Sequence, residues 1–385
     1  MAFSSGTGRP IGVGIVGLSA SGGWAARAHV PALRAIDGYE LRALSASSAA
    51  SAQAAGRAHG VPLTFGSPAE LAAHRDVDLV VVTVRVPDHR ELVTAALDAG
   101  KAVLCEWPLG NGLAEAVELA DLARSRGLST AVGLQARSAP AVRHLRDLVA
   151  DGYVGEVLST TVVASGGPWG AEVGAASQRY LVDAANGATM LTIPFGHTLD
   201  GLASVLGEPA RLTATLATRR TRVRDVDSGE LLPMTAPDQV AVTGRLTGGV
   251  AGGAVAALHY RGGMSRGTNF RWEINGTEGD LVVSAPSGHL QLSPVSIRGG
   301  RGGDTGLAEL TVPAGYHRVP GLAPDHPGYA VAHAYAQLLE DERTGRTVVP
   351  DFDHAVRRHR SIAAIEHAAA DSAAENPAAG RATAQ

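Results

Sequence analysis

The sequence is poor in cysteine, lysine and aromatic residues, and it has no marked excess of charge of either sign. Its 385 residues include one cysteine, one lysine and 4% aromatic residues, with 33 basic and 37 acidic residues for a formal net charge of -4. The single cysteine, Cys105, allows no internal disulfide, which excludes a disulfide scaffold and is typical of a reducing compartment. The near balance of charge indicates neither a nucleic-acid partner nor a polybasic membrane surface.

The chain also lacks a long apolar run. The longest runs, such as residues 79–84, are far shorter than a membrane span, and the first ten residues contain no apolar core of the length that a signal peptide needs. Hydrophobic residues nevertheless make up 45% of the chain, enough for a large buried core. We therefore expect a cytoplasmic, globular protein that does not contact membranes.

Short β-branched apolar runs alternate with longer Ala/Leu-rich segments in the first third of the chain. This alternation is typical of βαβ units, so it predicts a parallel sheet of about six strands in a doubly wound Rossmann domain. We place that domain at residues 8–136. The strand-like runs lie at 11–16, 39–44, 61–65, 77–84, 102–105 and 129–134.

From residue 137 the pattern changes to strand-like segments with Gly-rich turns and few helices between them. Residues 272–281 have the pattern of two strands around a tight turn, whereas the glycine-dense residues 293–306 are expected to be a loop. We expect an α+β domain at residues 137–370, built on a large, open, mostly antiparallel sheet whose face forms a homodimer or homotetramer. A disordered tail is expected at residues 371–385.

The first predicted strand leads into a glycine-rich turn. The spacing of Gly17, Ser19 and Gly22 matches the dinucleotide-binding turn, with serine as the middle member. Glycine there lets the backbone approach a pyrophosphate, and the next helix N-terminus supplies amide donors. The turn therefore predicts a cofactor site, although a plain strand-to-helix turn would have the same residues. The candidate cofactor-binding residues in it are Gly17, Ser19, Ala20, Gly22, Gly23 and Trp24.

The second predicted strand ends in Ser45-Ala-Ser47-Ser48, where an NAD site usually has a carboxylate for the ribose hydroxyls. No carboxylate at that strand end repels a 2′-phosphate, and hydroxyls can bind one, so Ser45 and Ser47 favour NADP over NAD. No arginine clamps the phosphate, which leaves NAD as the alternative. The fourth and fifth strands also end in polar residues, at the edge where open α/β sheets bind ligands. These strand ends add the candidates Thr83, Arg85, His89, Glu106, Trp107 and Pro108.

The triplet Glu106-Trp107-Pro108 carries a family resemblance. The chain resembles the Gfo/Idh/MocA family of glucose-fructose oxidoreductase and inositol dehydrogenase, whose members usually have Glu-Lys-Pro at this place. Segments 17–24, 133–140 and 195–200 are similar to the branch that contains the fungal galactose-regulon repressor. The resemblance implies NAD(P)-dependent hydride transfer on a sugar, polyol or related carbonyl compound, and it adds Gln135 to the expected cofactor site.

Trp107 departs from the family pattern. In the usual enzymes the lysine at this position lies beside the nicotinamide and the reacting hydroxyl, where it tunes proton transfer. Lys101, the one lysine in the chain, lies at the opposite end of the same strand and cannot replace it. An indole exchanges no proton at neutral pH. We interpret Trp107 as a stacking wall for substrate or nicotinamide, with simple space filling as the alternative.

The C-terminal domain is expected to supply the acid–base groups. His197 corresponds to the family's histidine, whereas Ile193 stands where the family has an aspartate. His197 and Asp200 lie one helical turn apart, so the carboxylate can orient the ring; the alternative is a core histidine.

Three other residues of that domain are candidates. Tyr180 can donate a proton to a forming alkoxide, and Asp183 lies in the same segment, although ordinary turn chemistry explains both equally well. Trp169 is expected to line the substrate pocket beside Trp107, Tyr180 and His197, or else to be a hydrophobic plug. The dispersed histidines show no metal-ligand spacing, so no metal is expected.

Two functional hypotheses follow. The first is an NAD(P)-dependent oxidoreductase, with NADP preferred, acting on a small-molecule substrate with His197 or Tyr180 moving the proton. The second is a nucleotide-binding regulator that keeps the fold and has lost turnover. The missing lysine and aspartate favour the regulator, and the retained His197 favours the enzyme, because the fold alone does not decide function.

Overall fold

The computed structural model describes residues 9–174 and 176–375. They form two compact units, the first containing residues up to 140 together with 313–359, and the second containing 141–312 and the residues from 360 on. This division corrects the expected domains, because residues 313–359 were assigned to the C-terminal domain at 137–370. The α-helices of the described residues are α1 (Val30–Arg34), α2 (Ala49–His59), α3 (Pro68–Ala73), α4 (His89–Asp98), α5 (Leu113–Arg126), α6 (Pro140–Ala150), α7 (Gly196–Leu206), α8 (Tyr329–Thr344) and α9 (Phe352–Glu375).

Six parallel strands form the sheet of the first unit, as the sequence predicts. They are β1 (Ile11–Val16), β2 (Tyr39–Ser45), β3 (Leu63–Phe65), β4 (Leu79–Val82), β5 (Ala102–Glu106) and β6 (Thr130–Gly133). Their order, β3-β2-β1-β4-β5-β6, is that of a Rossmann sheet, with the topological switch between β1 and β4. Every residue of β1 and β4 is buried, as expected of central parallel strands covered on both faces.

Residues 313–359 complete the core of this first unit. The Tyr39 hydroxyl donates a hydrogen bond of 3.1 Å to the backbone carbonyl of Tyr335 in α8. The Val132 N–H in β6 donates a hydrogen bond of 2.7 Å to the carbonyl of Pro350. Apolar residues of α8 also share one buried cluster with β1 and α1. These contacts are the physical reason why the segment groups with the N-terminal sheet.

Lys101 lies immediately before β5, at the N-terminal edge of the sheet. Its Nζ donates hydrogen bonds to the backbone carbonyls of His74, at 3.0 Å, and Val77, at 2.8 Å. Partial burial lowers the pKa of this ammonium group. The lysine therefore connects backbone segments, and it lies at the opposite end of β5 from Glu106.

The second unit contains an eight-stranded and a three-stranded sheet. Its strands are β7 (Val157–Ser165), β8 (Glu172–Val173), β9 (Glu208–Ala217), β10 (Arg222–Asp225), β11 (Leu231–Pro233), β12 (Gln239–Thr247), β13 (Val255–Arg261), β14 (Phe270–Gly276), β15 (Gly279–Ser284), β16 (Ser296–Arg301) and β17 (Ala308–Glu309). The sheet orders are β17-β16-β15-β14-β7-β13-β12-β9 and β11-β10-β8. In the larger sheet β7 and β13 run parallel and the other neighbours antiparallel, which confirms the mostly antiparallel expectation.

Two expectations about irregular segments are wrong. Residues 293–306 contain the strand β16. The glycines of this strand allow neighbouring side chains to approach its backbone closely: a Cβ on Gly299 would lie 2.7 Å from the Tyr153 hydroxyl. Helix α9 continues through residues 371–375 of the expected disordered tail, and the rest of that tail lies outside the described residues. In the part of the chain that the structure describes, no helix is long and apolar enough to cross a bilayer.

Candidate functional site

The turn after β1 has a backbone conformation that favours glycine. The φ angles are 96° at Gly17, 122° at Gly22 and 95° at Gly23. A Cβ on Gly17 would lie 2.7 Å from Cγ1 of Val84, whereas on Gly22 or Gly23 it would meet no atom within 4 Å. The turn therefore leaves its backbone open to a ligand while packing closely against the end of β4.

A cleft of about 680 Å³ opens at the carboxyl ends of β1, β2 and β4. The Ser45 hydroxyl at its wall is buried and has no hydrogen-bond partner among the described residues. Such a group is costly unless a ligand or water satisfies it, so the cleft fits the phosphates and ribose of a dinucleotide. Five of the predicted cofactor residues line it: Gly17, Ser19, Ala20, Ser45 and Ser47.

Two carboxylates, Asp88 and Glu91, line the same cleft. They lie at the start of α4, so an argument confined to the end of β2 could not find them. Arg85, an exposed candidate, places its Nη2 3.5 Å from Asp88 and does not line the cleft. The cleft thus contains negative charge as well as hydroxyl donors, and the charge disfavours a further phosphate.

The side chains of Thr83 and His89 contact backbone carbonyls of the first unit. The Thr83 hydroxyl donates to the Val16 carbonyl at 2.8 Å. The buried His89 ring lies between the carbonyls of Pro108, 2.9 Å from Nδ1, and Val84, 3.1 Å from Nε2. Burial lowers the pKa of His89, so one ring nitrogen carries the proton at neutral pH. Neither side chain lines the cleft, and each positions the strand-end loops instead.

Glu106 ends β5 at the same edge of the sheet, and residues distant in sequence fix its carboxylate. Its Oε1 lies 3.1 Å from Nε2 of His29, whose Nδ1 lies 2.9 Å from the Tyr335 hydroxyl. His29 and Tyr335 are each 1% exposed. A Cβ on Gly133 in β6 would lie 2.5 Å from Oε1, so any larger residue there would displace the carboxylate. Sequence reasoning missed His29 and Tyr335, because 306 residues separate them and no motif links them.

Trp107 follows Glu106 and is 5% exposed, and the peptide bond between Trp107 and Pro108 is cis. Its ring packs against His359 of α9, with centroids 4.6 Å apart. Burial lowers the pKa of His359 to about 4, and its Nε2 has no hydrogen-bond partner among the described residues. Trp107 therefore fills space within the first unit and leaves little of its indole for contact with a ligand.

Two further candidates present buried polar atoms to the carboxyl edge of the sheet. Oε1 of Gln135, after β6, and Nε1 of Trp24, after the glycine turn, have no hydrogen-bond partner within residues 9–174 and 176–375. Gln135 and Trp24 follow β6 and β1, and Ser45 is the last residue of β2, so all three come after or at the carboxyl ends of strands of one sheet. Unsatisfied donors and acceptors at this edge fit an amide- and hydroxyl-bearing cofactor.

His197 lies on α7 in the second unit and is 3% exposed. Burial, with a smaller contribution from His289, lowers the pKa of His197 to about 3, whereas Asp200 raises it. Burial also lowers the pKa of His289 to about 4, and its ring stacks on Trp169 with centroids 6.3 Å apart. Nδ1 of each histidine has no hydrogen-bond partner among the described residues. His289 was missed because it lies in a loop without a recognisable motif.

The remaining candidates of the second unit make local contacts. The buried Trp169 ring donates its N–H to a backbone carbonyl at 2.9 Å. Asp183 is exposed and accepts hydrogen bonds from the Ala185 N–H and the Thr235 hydroxyl, which is ordinary turn chemistry. Tyr180 is partly buried in a 3-10 segment. Within residues 9–174 and 176–375, no group of three or more His, Cys, Asp or Glu residues is placed to hold a metal ion.

Known families match both units. Residues 11–134 match the family described as "Oxidoreductase family, NAD-binding Rossmann fold", and residues 140–285 match "Gal80p, C-terminal domain". The chain is 35% identical over 267 residues to Dehydrogenase aclE of Aspergillus oryzae, which covers 67% of this chain and 71% of that protein. It is 28% identical over 321 residues to the galactose/lactose metabolism regulatory protein GAL80 of Saccharomyces cerevisiae, covering 78% and 73%.

Solved structures share the fold. A super-repressor mutant of Gal80p from Saccharomyces cerevisiae superposes with a TM-score of 0.84 at 24% identity, covering 94% of this chain and 96% of that one. At this identity the likeness shows the fold alone. The relation to aclE covers more than two thirds of both chains, and the Rossmann match agrees with the observed strand order. The chain therefore belongs to the Gfo/Idh/MocA oxidoreductase family, near its Gal80 branch.

Proposed function

We propose that this protein is an NAD(P)-dependent oxidoreductase that transfers a hydride to or from a sugar, polyol or related carbonyl compound without the family's usual lysine. The observation that carries the proposal is the cleft at the ends of β1 and β2, lined by both the glycine turn and the unpaired Ser45 hydroxyl. Gly17, Ser19, Ala20, Ser45 and Ser47 would hold the cofactor phosphates and ribose. The bound cofactor supplies the hydride chemistry, and the chain supplies orientation and proton transfer.

His197 is the proposed proton acceptor, with Tyr180 as the alternative. Because burial lowers the pKa of His197 to about 3, its ring is neutral at neutral pH but a weak base; it accepts a proton from a substrate hydroxyl only where Asp200 or a bound substrate raises that pKa. Asp200 favours the charged ring, so it stabilises the imidazolium that forms. Tyr180 would act in the opposite direction, as a donor to a forming alkoxide. Asp183 is then a turn residue without a part in proton transfer.

The test is a fluorescence titration with NADPH and NADH, followed by rate measurements on a panel of sugars, polyols and their carbonyl counterparts. We expect binding of a reduced cofactor and turnover with at least one substrate class. Absence of cofactor binding by the folded protein would contradict the proposal. Binding without turnover across the panel would favour the second candidate function.

That second candidate is a catalytically inactive NAD(P)-binding regulator similar to the galactose-regulon repressor. The buried Trp107 favours it, because an indole that exchanges no proton replaces the usual lysine. Ile193 in place of the family's aspartate also favours the regulator, because its side chain has no ionisable group. A pull-down that recovers a defined protein partner, combined with cofactor binding and no turnover, would support this alternative.

We expect wild-type protein to bind NADPH at least as tightly as NADH. Removing both hydroxyls in Ser45→Ala/Ser47→Ala should raise the Kd for NADPH by about tenfold, the size of one or two lost hydrogen bonds. The Kd values are measured by cofactor fluorescence. Ser125→Ala is a matched control, because the Ser125 hydroxyl donates to the Leu122 carbonyl on α5, outside the cleft. A clear preference for NADH would show that repulsion of the 2′-phosphate by Asp88 and Glu91 exceeds its stabilisation by the serine hydroxyls.

Trp107→Lys should destabilise the protein although it restores the family's usual triplet. The ammonium would enter a buried space against His359, and burying it unpaired costs free energy or lowers its pKa. We expect the midpoint of thermal unfolding to fall by about 5 °C. Trp107→Phe, which keeps an aromatic ring, should lose less. Unchanged stability with faster turnover would mean that the site already accommodates a lysine.

The proposed partners are a small-molecule substrate and further copies of this chain, with no nucleic acid or membrane. A homodimer or homotetramer through the larger sheet is favoured by Leu158 on β7 and Val255 on β13, two apolar side chains that are each 52% exposed on neighbouring strands. A cytoplasmic location is proposed from the single cysteine.

A further inference from the structure

Glu106, His29 and Tyr335 form a hydrogen-bonded group in the first unit, here called the Glu106 cluster. Burial, and after it the neighbouring Tyr39 and Glu106, raises the pKa of Tyr335 well above its ordinary value, so its hydroxyl stays protonated and donates to Nδ1 of His29. In the neutral ring, Nε2 of His29 then carries the proton and donates a hydrogen bond to the Glu106 carboxylate. One tautomer of the neutral ring therefore satisfies both contacts.

The surrounding residues hold the His29 ring and leave room for the carboxylate that it contacts. Trp24 packs edge-on against the His29 ring with centroids 6.2 Å apart. The Tyr39 hydroxyl donates to the backbone carbonyl of Tyr335 and leaves the Tyr335 hydroxyl to His29. The open Cα of Gly133 makes room for Oε1 on the neighbouring strand. The Glu106 carboxylate is thus held in place before any ligand arrives.

The charge of this carboxylate is not offset by a nearby lysine. The next residue is the neutral Trp107, and Lys101 is bound to carbonyls at the other end of β5. Within the described residues the ion-pair partner of Glu106 is His29. The Glu106 carboxylate therefore lies at the carboxyl end of β5 with a histidine, and not a lysine or arginine, as its ion-pair partner among these residues; this is the edge where open α/β sheets bind their cofactor.

We propose that the Glu106 cluster discriminates between the two oxidation states of the nicotinamide, favouring the oxidised ring over the reduced one. The oxidised ring carries one more positive charge than the reduced ring, so a fixed carboxylate attracts it selectively. The equilibrium between the two bound forms then shifts toward the oxidised cofactor. Glu106 acts by its charge, and His29 and Tyr335 are positioning residues. The inference rests on the proposed function, because it requires a nicotinamide cofactor to bind.

The test compares Kd values for NADP⁺ and NADPH, and for NAD⁺ and NADH, by calorimetric titration without any substrate. In Glu106→Gln, which keeps the size of the side chain and removes its charge, the preference for the oxidised form should fall by about tenfold. In Tyr335→Phe, which removes the donor to His29, it should fall by about threefold. Tyr39→Phe is the matched control, because it removes a hydroxyl from the same core without touching His29 or Glu106.

Each outcome bears on a different claim. If both oxidation states bind to Glu106→Gln with the wild-type ratio of Kd values, the inference is overturned while the proposed function stands. If the folded wild-type protein binds neither form, the proposed function fails and this inference fails with it. If Tyr39→Phe lowers the preference as much as Tyr335→Phe, general loosening of the core explains the effect, and the positioning role is overturned. Thermal unfolding of each variant verifies that it is folded.

Discussion

Replacing Gly17 with valine should abolish binding of both NADPH and NADH, with a rise in Kd of about a hundredfold or more. Two effects combine: a φ of 96° is strained for a β-branched residue, and a Cβ at this position would already lie 2.7 Å from Val84. The added side chain also occupies backbone that a pyrophosphate has to approach. Fluorescence titration with each cofactor measures the loss.

Gly60→Ala is the control for backbone strain. Gly60 ends α2 with a φ of 65°, and a Cβ there would meet no atom within 4 Å. It shares the unusual backbone but not the cleft, so this variant should bind both cofactors normally. Circular dichroism verifies that the Gly17 variant is folded. Normal binding by a folded Gly17→Val protein would show that the cofactor site lies elsewhere.

His197→Ala should reduce kcat by about a hundredfold while leaving the Kd of the cofactor nearly unchanged, the pattern of a lost proton acceptor. The substrate is the one identified by the panel, measured in the direction of alcohol oxidation. Because the pKa of His197 is lowered to about 3, the ring stays neutral across the ordinary pH range. When the pH is lowered, protonation of this base should therefore reduce the rate of the wild-type protein only as the pH approaches 3.

His259→Ala is the control for this prediction. His259 lies on β13 of the same unit and is exposed, so its loss should change neither kcat nor Kd. Near-normal kcat in His197→Ala would remove His197 from proton transfer and assign that role to Tyr180. Loss of the fold in the alanine variant is detected by thermal unfolding, and His197→Asn then tests the same role with a smaller change in polarity.

The sequence was most informative where one local pattern determines one local structure. Alternating apolar runs predicted the six parallel strands, and the residues around 272–281 predicted the hairpin of β14 and β15, which the observed pairing confirms. The glycines of β16 led to the wrong prediction of a loop. Gly299 lies in a strand and allows the Tyr153 side chain to approach its backbone closely. Composition alone does not separate these two uses of glycine.

The missing parts of the site depend on tertiary contacts between distant residues. His29, Glu106 and Tyr335 come from three segments with no shared motif, and they meet because α8 packs on the N-terminal unit. The first turns of α9 pack on the same unit, where His359 contacts the mostly buried Trp107 indole. Sequence reasoning identified Glu106 and Trp107 by the family triplet, but it could not supply their partners.

The single lysine makes this chain suited to a one-cut proteolysis experiment. A protease specific for lysine can cleave only the bond between Lys101 and Ala102, which lies where β5 enters the buried sheet. Cleavage of that bond requires β5 to leave its neighbours, so the rate of appearance of two fragments reports the opening of the Rossmann sheet itself. A ligand that binds at the carboxyl ends of these strands would slow that cut by the factor by which it lowers the population of the open state.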